Sequence, residues 1–502
     1  MTKPRILVPE FVLETPDSEP RAAAVGVDGG RIWAIDSVSE LQAQRPDAEL
    51  LTLPGTLLMA GFVNAHQHGR GLSQIQLGYT DDFLESWIAG RRARGVLDAY
   101  SVTKLAAARM AAAGVVTAVH ANYSYGSGDY EGEVRAQIRA YREVGIRVTM
   151  CVGAMDRGQI VYPPHQACFC AGLPKDLQDW LATPGKPAYA ADGPSTVELM
   201  WRLRADFAGD DGVKLYYGPA GPQWISDELW RLLAEDADAN GLGLHFHALE
   251  SPAQRDAARE LYPEGTFERL RRLGAMTERS VIAHGVWLEE DDIRILAETG
   301  ATVVRNPGSN LRLRNGIAPL AELLAAGVRV AIGTDNAPVN DDEDILGELR
   351  VADQLARIPA WDGLPPPSDV QLLQMLTVNG AFAAGFGGSS GTIEPGMAAD
   401  MVAVGLDRLR DPWLDPDMSL KRAVLARASD RDVRMTMVGG KVVFMDGAYP
   451  GLDIAEIKQA ASRAASVARL PADPGNVART RLLRAELARH YRRPFAAEEV
   501  KS

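Results

Sequence analysis

Two histidines one residue apart, His66 and His68, close the apolar run Leu57-Leu58-Met59-Ala60-Gly61-Phe62-Val63. Such a run reads as a buried strand, and residues i and i+2 of a strand face the same side. Two neutral imidazoles aimed at one point are what a shared divalent metal requires. Alone, the pattern is more often a polar strand face than a ligand pair. Its meaning depends on whether further ligands end other strands. Of the eight histidines, four end apolar runs: His66, His68, His247 in Gly243-Leu244-His245-Phe246-His247-Ala248-Leu249-Glu250, and His284 in Val281-Ile282-Ala283-His284-Gly285. Another run, Val328-Arg329-Val330-Ala331-Ile332-Gly333-Thr334-Asp335, ends on a carboxylate. If these ends open at one mouth, three imidazoles and a carboxylate can surround one divalent ion. That set suits Zn2+, with Fe2+ or Mn2+ as alternatives. A position left to water would make the site catalytic. His245 shares a strand face with His247 and competes with it as the ligand.

The elements that must position these residues alternate regularly. Strand-like runs fall at 60–66, 114–121, 146–152, 212–217, 243–248, 280–284, 302–306 and 329–334. Helical stretches follow most of them, among them Glu131–Val144, Asp227–Asn240, Glu289–Gly300 and Ala318–Ala326, several stopped by a glycine (Gly145, Gly241, Gly300, Gly327). Strands alternating with helices in this way predict an α/β fold, a closed (β/α)8 TIM-like barrel whose C-terminal strand ends line one mouth. An open doubly wound sheet is the rival, and no Gly-x-Gly-x-x-Gly follows any strand to support it.

Both ends of the chain hold shorter β-like runs, with Asp28-Gly29-Gly30 as a hairpin signal. The expected division is a small β-sandwich domain from residues 1–56 plus 390–450, a metal-binding barrel over 57–389, and a basic helical extension over 451–502. That extension reads as a solvated helix packing on the acidic body or on a partner subunit. The long interval 153–195, with Tyr162-Pro163-Pro164-His165 and Pro184-Gly185-Lys186-Pro187, is expected to form a lid over the mouth.

Composition sets outer limits. The 502 residues, 46% hydrophobic, suffice for one large domain and smaller additions. A net charge of −13 disfavours nucleic acid and anionic membranes as partners. No apolar stretch reaches membrane-spanning length. The first residues lack the apolar core of a signal peptide, so a cytoplasmic setting is expected. Three clustered cysteines, Cys151, Cys168 and Cys170, argue against a disulfide framework, and the Cys168-x-Cys170 pair has no second pair to complete a metal site.

The motifs in series resemble the metal-dependent amidohydrolase superfamily, in the branch holding aromatic deaminases and s-triazine hydrolases. Pro54–His68 resembles its first-strand motif, and Gly218-Pro219-Ala220-Gly221-Pro222 its turn after the fourth strand. His247-Ala248-Leu249-Glu250 resembles its His-x-x-Glu element. His284-Gly285-Val286-Trp287-Leu288, Asn306-Pro307-Gly308-Ser309-Asn310-Leu311 and Gly333-Thr334-Asp335-Asn336 resemble the sixth, seventh and eighth strand ends. Gly391–Asp400 resembles the return to the small β-domain. The resemblance implies that His66, His68, His247 and Asp335 hold one metal, that His284 sits beside the activated water and the substrate, and that Glu250 moves protons. It also implies a homo-oligomer, a dimer or larger. Chemistry is consistent with these roles. Metal lowers the pKa of bound water to about 7, Asp335 can act as general base, and an amine leaves only once protonated, a task suited to Glu250.

The expected activity is hydrolysis of a C–N bond in a small molecule, as deamination or amine removal from a nitrogen heterocycle. The alternatives keep the machinery and change the bond: an acyclic amide, urea or carbamate, or dechlorination of a triazine-like ring. A catalytically silent barrel would have lost ligands, and here all are present. Lys214 is the competing candidate, as a bridging ligand of a binuclear site, although a salt-bridged or substrate-facing lysine fits the mononuclear motif better. Candidate substrate contacts are His284, Trp87, Gln74 in the loop Gly69–Gln74, and His120, which reads equally as a satisfied wall residue, with Arg91 and Arg92 beside Trp87. Trp87 at helical spacing also reads as core. His165 and His490 read as surface residues, and Asp341-Asp342-Glu343-Asp344 as a loop and helix N-terminus.

Overall fold

The computed structural model describes residues 3–157, 160–183, 186, 188–336, 338, 340–358 and 363–491. Pro184, Gly185 and Pro187 of the expected lid and the end of the basic extension lie outside them. Four strands open the chain: β1 (Arg5–Val12), β2 (Ala24–Asp28), β3 (Arg31–Asp36) and β4 (Glu49–Ala60). Eight follow: β5 (Phe62–Gln67), β6 (Val115–Ala121), β7 (Arg147–Ala154), β8 (Val213–Pro219), β9 (Leu244–Ala248), β10 (Ser280–His284), β11 (Thr302–Arg305) and β12 (Arg329–Ile332). The last three are β13 (Met401–Gly405), β14 (Val433–Val438) and β15 (Lys441–Met445).

β5 to β12 pair in sequence order, every pair parallel, as in a (β/α)8 barrel. β12 returns to β5 through a parallel bridge between Gln67 and Asp335, with the Asp335 amide donating to the His66 carbonyl at 3.0 Å. The strands from the two chain ends form one separate mixed sheet, in the order β15-β14-β13-β4-β1-β2-β3. Gly29 and Gly30 join β2 to β3 with φ of 55° and 81°, the left-handed pair that a tight hairpin needs.

One expectation is corrected here. The run Leu57–Val63 reads as a single strand leading to the histidines, but it is two. Leu57–Ala60 end β4 and pair with β13, while Phe62 begins β5 in the barrel. The break is at Gly61, where a Cβ would stand 2.2 Å from Val116 Cγ1. Only glycine lets the chain pass that close while it changes sheets.

The interval after β7 carries two short helices, Gln166–Ala171 and Lys175–Ala182. The extension carries two longer ones, Ile454–Val467 and Gly475–Tyr491. The second packs on helix Leu84–Gly90, and its Leu483 and Leu487 bury against Ala89, Val161, Leu173 and Leu177. Arg484 adds bonds to Asp82 (2.7 Å) and Ser86 (3.0 Å). The basic extension therefore packs against the interval after β7, beside the mouth of the barrel. No helix among the described residues is long and apolar enough to cross a membrane.

The loop after His68 is pressed onto helix Ala99–Ala112. A Cβ on Gly71 would meet Ala106 N and Val102 O at 2.4 Å, backbone atoms that cannot turn aside. Gly71→Ala is expected to lower stability by about 1–3 kcal/mol. Thermal unfolding checks this, and an unchanged midpoint would refute the tight fit.

Candidate active site

His66 lies on β5 and His68 just past its end, His247 on β9, His284 at the end of β10, and Asp335 just past β12. The ligating atoms of His66, His68 and His247 lie within 4.8 Å of one another, as do those of His66, His284 and Asp335. His284 and Asp335 have φ of 75° and 54°, left-handed backbone that side-chain-bearing residues seldom adopt. Strain of that kind belongs at a site where direction matters more than ease.

The second atom of each group is already engaged. His68 Nδ1 donates to the Ala121 carbonyl at 2.5 Å, and His247 Nδ1 to the Ala220 carbonyl at 3.1 Å. His66 Nδ1 lies 2.8 Å from His245 Nε2. Ser309 Oγ donates to Asp335 Oδ2 at 2.5 Å. These partners turn the Nε2 atoms and Asp335 Oδ1 toward one point, with Oδ1 3.0 Å from His68 Nε2 and 3.5 Å from His66 Nε2. His66 Nε2 is buried without a hydrogen-bond partner. A donor set so aimed, with an orphaned buried nitrogen, fits a divalent ion.

Burial sets the charges. It pushes the pKa of His68 down to about 4 and that of His284 to about 3, and lowers that of His247 well below the usual value. Neutral imidazole is the form that ligates metal. Burial alone would raise the Asp335 carboxyl, but its contacts with His66 and His68 outweigh that and hold it well below the usual range. Glu250 goes the other way. It is buried, the charges of Asp335 and Glu85 lie nearby, and its pKa is raised well above normal. Its Oε1 accepts from Asn315 Nδ2 at 2.9 Å, and its Oε2 lies 3.6 Å from His284 Nε2. His284 Nδ1 lies 2.9 Å from Asn310 Oδ1. The site thus sets a cluster of donors that could hold a metal beside a carboxyl whose burial favours its protonated form, a pairing suited to acid–base chemistry.

Several partners escaped the sequence reading. His245 is one layer deeper than His247 and supports His66. Tyr123 stacks on the His68 ring at 4.5 Å, and its hydroxyl donates to His247 Nε2 at 3.2 Å. Ser309 and Asn310 fall inside a motif already noted, whereas nothing about Tyr123 or Asn315 marks them in the sequence.

Other expectations need correction. His120 does not reach the site. Val119 takes the inward position of β6, so His120 points outward, where its nitrogens lie 3.0 Å from Tyr141 Oη and 3.4 Å from Gln137 Nε2. Lys214 is neither bridging, salt-bridged nor substrate-facing. It lies at the start of β8, the end of the barrel opposite the ligands, exposed with its ammonium over the Phe386 ring. Trp87 is buried between Leu84 and Leu313, as the core reading expects, yet it lines a cavity of about 1180 Å³ that reaches Asn315. Gln74 is buried with Nε2 unpartnered. His165 pairs with Glu260 at 2.8 Å on the surface, and the ring of His490 packs on Phe169 rather than standing in solvent. Cys151, Cys168 and Cys170 are free thiols. Among the described residues, both groupings able to hold a metal are the ones at the barrel mouth.

Residues 57–443 match the model of the amidohydrolase family. The chain belongs to that family. This amidohydrolase is 28% identical over 461 residues to a 5′-deoxyadenosine deaminase of Methanosarcina barkeri, covering 91% of this chain and 95% of that one. It is 30% identical over 450 residues to a 5-methylthioadenosine/S-adenosylhomocysteine deaminase of Moorella thermoacetica, covering 88% and 91%. Its fold superposes on an adenosine deaminase from Xanthomonas campestris with bound zinc at a TM-score of 0.78 and 25% identity, covering 91% and 97%. It is a metal-dependent hydrolase acting on carbon–nitrogen bonds.

Two measurements check the site. Protein purified without added metal is expected to carry about one equivalent of divalent ion per chain, lost in His247→Ala or Asp335→Ala and kept in Lys214→Ala. Two equivalents, falling with Lys214→Ala, would overturn the mononuclear site. Below the ligands, burial pushes Glu343, which accepts from Thr334 Oγ1 at 3.1 Å, up to about 8 from the usual 4.5. The unfolded chain therefore ionises this carboxyl first, and stability falls as pH rises from about 4.5 toward 8. Glu343→Gln is expected to gain on the wild type by on the order of 2 kcal/mol between pH 5 and pH 8. A pH-independent difference in denaturant midpoints would refute the shift.

Proposed function

We propose that this amidohydrolase deaminates an adenine nucleoside or a close relative of one, with His66, His68, His247 and Asp335 holding a single ion. The observation that carries this reading is the buried carboxyl of Glu250, three residues past His247, held by Asn315 and 3.6 Å from His284 Nε2 beside a converging donor set. The names of the similar deaminases support the choice of ring. The nitrogen-rich donor set favours zinc over iron or manganese. A homo-oligomer in the cytoplasm completes the proposal, and the three free thiols are in keeping with a reducing compartment.

When bound, the ion acts as a Lewis acid that makes hydroxide available near neutral pH. The remaining steps belong to the side chains. Asp335 accepts a proton from the attacking water through Oδ1, the oxygen that faces the histidines. Glu250 donates its proton to the amino nitrogen, which leaves as ammonia, and the proton on Asp335 is then available to restore Glu250. His284, neutral with Nδ1 donating to Asn310 Oδ1 at 2.9 Å, presents an unprotonated Nε2 that accepts from the water and orients it. Asn315 holds the Glu250 carboxyl in place.

The decisive experiment is ammonia release from a panel of adenosine, 5′-deoxyadenosine, guanine, cytosine, pterins, aminotriazines and simple amides. Turnover is expected on the adenine nucleosides. Turnover confined to amides or triazines would overturn the reading in favour of the acyclic or dechlorinating alternative. Glu250→Gln is expected to lower kcat by roughly 10²–10⁴-fold with metal content retained, and full activity in that variant would remove Glu250 from the proton path.

A further inference from the structure

A cavity of about 1550 Å³ adjoins the site through Tyr123 and Ala220, the residue whose carbonyl orients His247. Two guanidinium groups converge on it. Arg70 is half-buried, its guanidinium 4.7 Å over the Tyr125 ring, and its Nε is buried with no partner. Arg91 lies 5.2 Å over the Tyr123 ring, on a tyrosine that itself stacks on His68. Among the described residues neither forms an ion pair with a carboxylate. They are close enough that, after burial, the charge of Arg70 is the main influence lowering the pKa of Arg91.

The carboxylates around the cavity are committed elsewhere. Asp156 accepts from Ser226, Asp179 pairs with Lys175, and Asp473 pairs with Arg479 at 2.5 Å. Glu85 accepts from Ser251 (2.5 Å) and Tyr162 (2.8 Å), and burial raises its pKa. Asp176 stands exposed on the lid. A chain with a net charge of −13 has carboxylates to spare, yet two partly buried cations next to its reactive centre are left without one. Uncompensated charge of this kind is costly, and it persists where a ligand completes it. Planar guanidinium forks match phosphate and carboxylate oxygens.

We infer that Arg70 and Arg91 form an oxyanion subsite for a phosphate or carboxylate group carried by the substrate. That group sits one ring beyond His68, so it is a remote substituent and not part of the reacting heterocycle. The inference rests on the deaminase reading for the rest of the substrate, and it narrows that reading to anionic members of the class.

The test uses the full-length, metal-loaded protein and three adenine compounds: neutral 5′-deoxyadenosine, adenosine 5′-monophosphate, and S-adenosylhomocysteine with its carboxylate. One anionic compound is expected to exceed the neutral one in kcat/KM by roughly tenfold or more, and which one it is tells phosphate from carboxylate. Arg70→Met and Arg91→Met are each expected to shrink that ratio through KM, with partial rescue in Arg91→Lys. Calorimetric titration with inorganic phosphate and with succinate reads the subsite without turnover. Binding in the wild type that is lost in the double methionine variant supports it, even if no heterocycle releases ammonia and the deaminase reading falls. Ammonia release from all three compounds at equal kcat/KM, with neither anion bound, overturns the subsite and leaves the deaminase reading intact. The wild-type comparison decides the matter even if the arginine variants do not fold.

Discussion

Everything at the mouth depends on how the barrel closes. β12 meets β5 where Asp335 follows one strand and His66 lies on the other. The seam is fastened by more than the Asp335–His66 backbone bond. Asn64 bonds Thr334 twice, accepting from its amide at 3.1 Å and donating to its hydroxyl at 2.8 Å. On the outer side Gln67 donates to Tyr141 Oη at 2.5 Å and accepts from the Gly69 amide. A carboxylate and two imidazoles from opposite ends of the barrel sequence are thereby fixed within contact distance before any ligand arrives. Preorganisation of this kind is what lets a site act without reorganising during reaction.

Within that frame one cause, burial, produces opposite protonation states. It disfavours the proton on His68, His247 and His284, and favours it on Glu250. Asp335 faces the same burial and yet is driven toward ionisation, because His66 and His68 lie against its Oδ1, whereas the charges of Asp335 and Glu85 push Glu250 the other way. The two carboxyl groups are thus driven apart by their neighbours rather than by their chemistry.

Much of this was legible in the sequence, because strand ends announce themselves. The barrel strands lie within a few residues of where the apolar runs place them, and the His-x-x-Glu element brings Glu250 to the mouth as expected. What escaped depends on direction and on close approach. Strand alternation turns His120 outward, a fact visible only once Val119 is known to face the axis. Gly61 divides an apolar run that looks continuous, and the reason is Val116, far along the chain. Lys214 is at the wrong end of its strand for the role considered. Tyr123 and Asn315 act through positions that nothing in the sequence marks, and the isolation of Arg70 and Arg91 becomes visible only when the surrounding carboxylates are seen to be engaged.

The helix Gly475–Tyr491 lies beyond the stretch that matches the family, yet Leu483 and Tyr491 line the large cavity. The two halves of the active site therefore have separate genetic addresses. Every side chain of the converging donor set is encoded within the family core, while part of the wall of the adjoining cavity is encoded after it. Recombination at that junction could exchange one wall for another without disturbing a single ligand. A change at Leu483 or Tyr491 would reshape that wall without replacing any residue of the donor set.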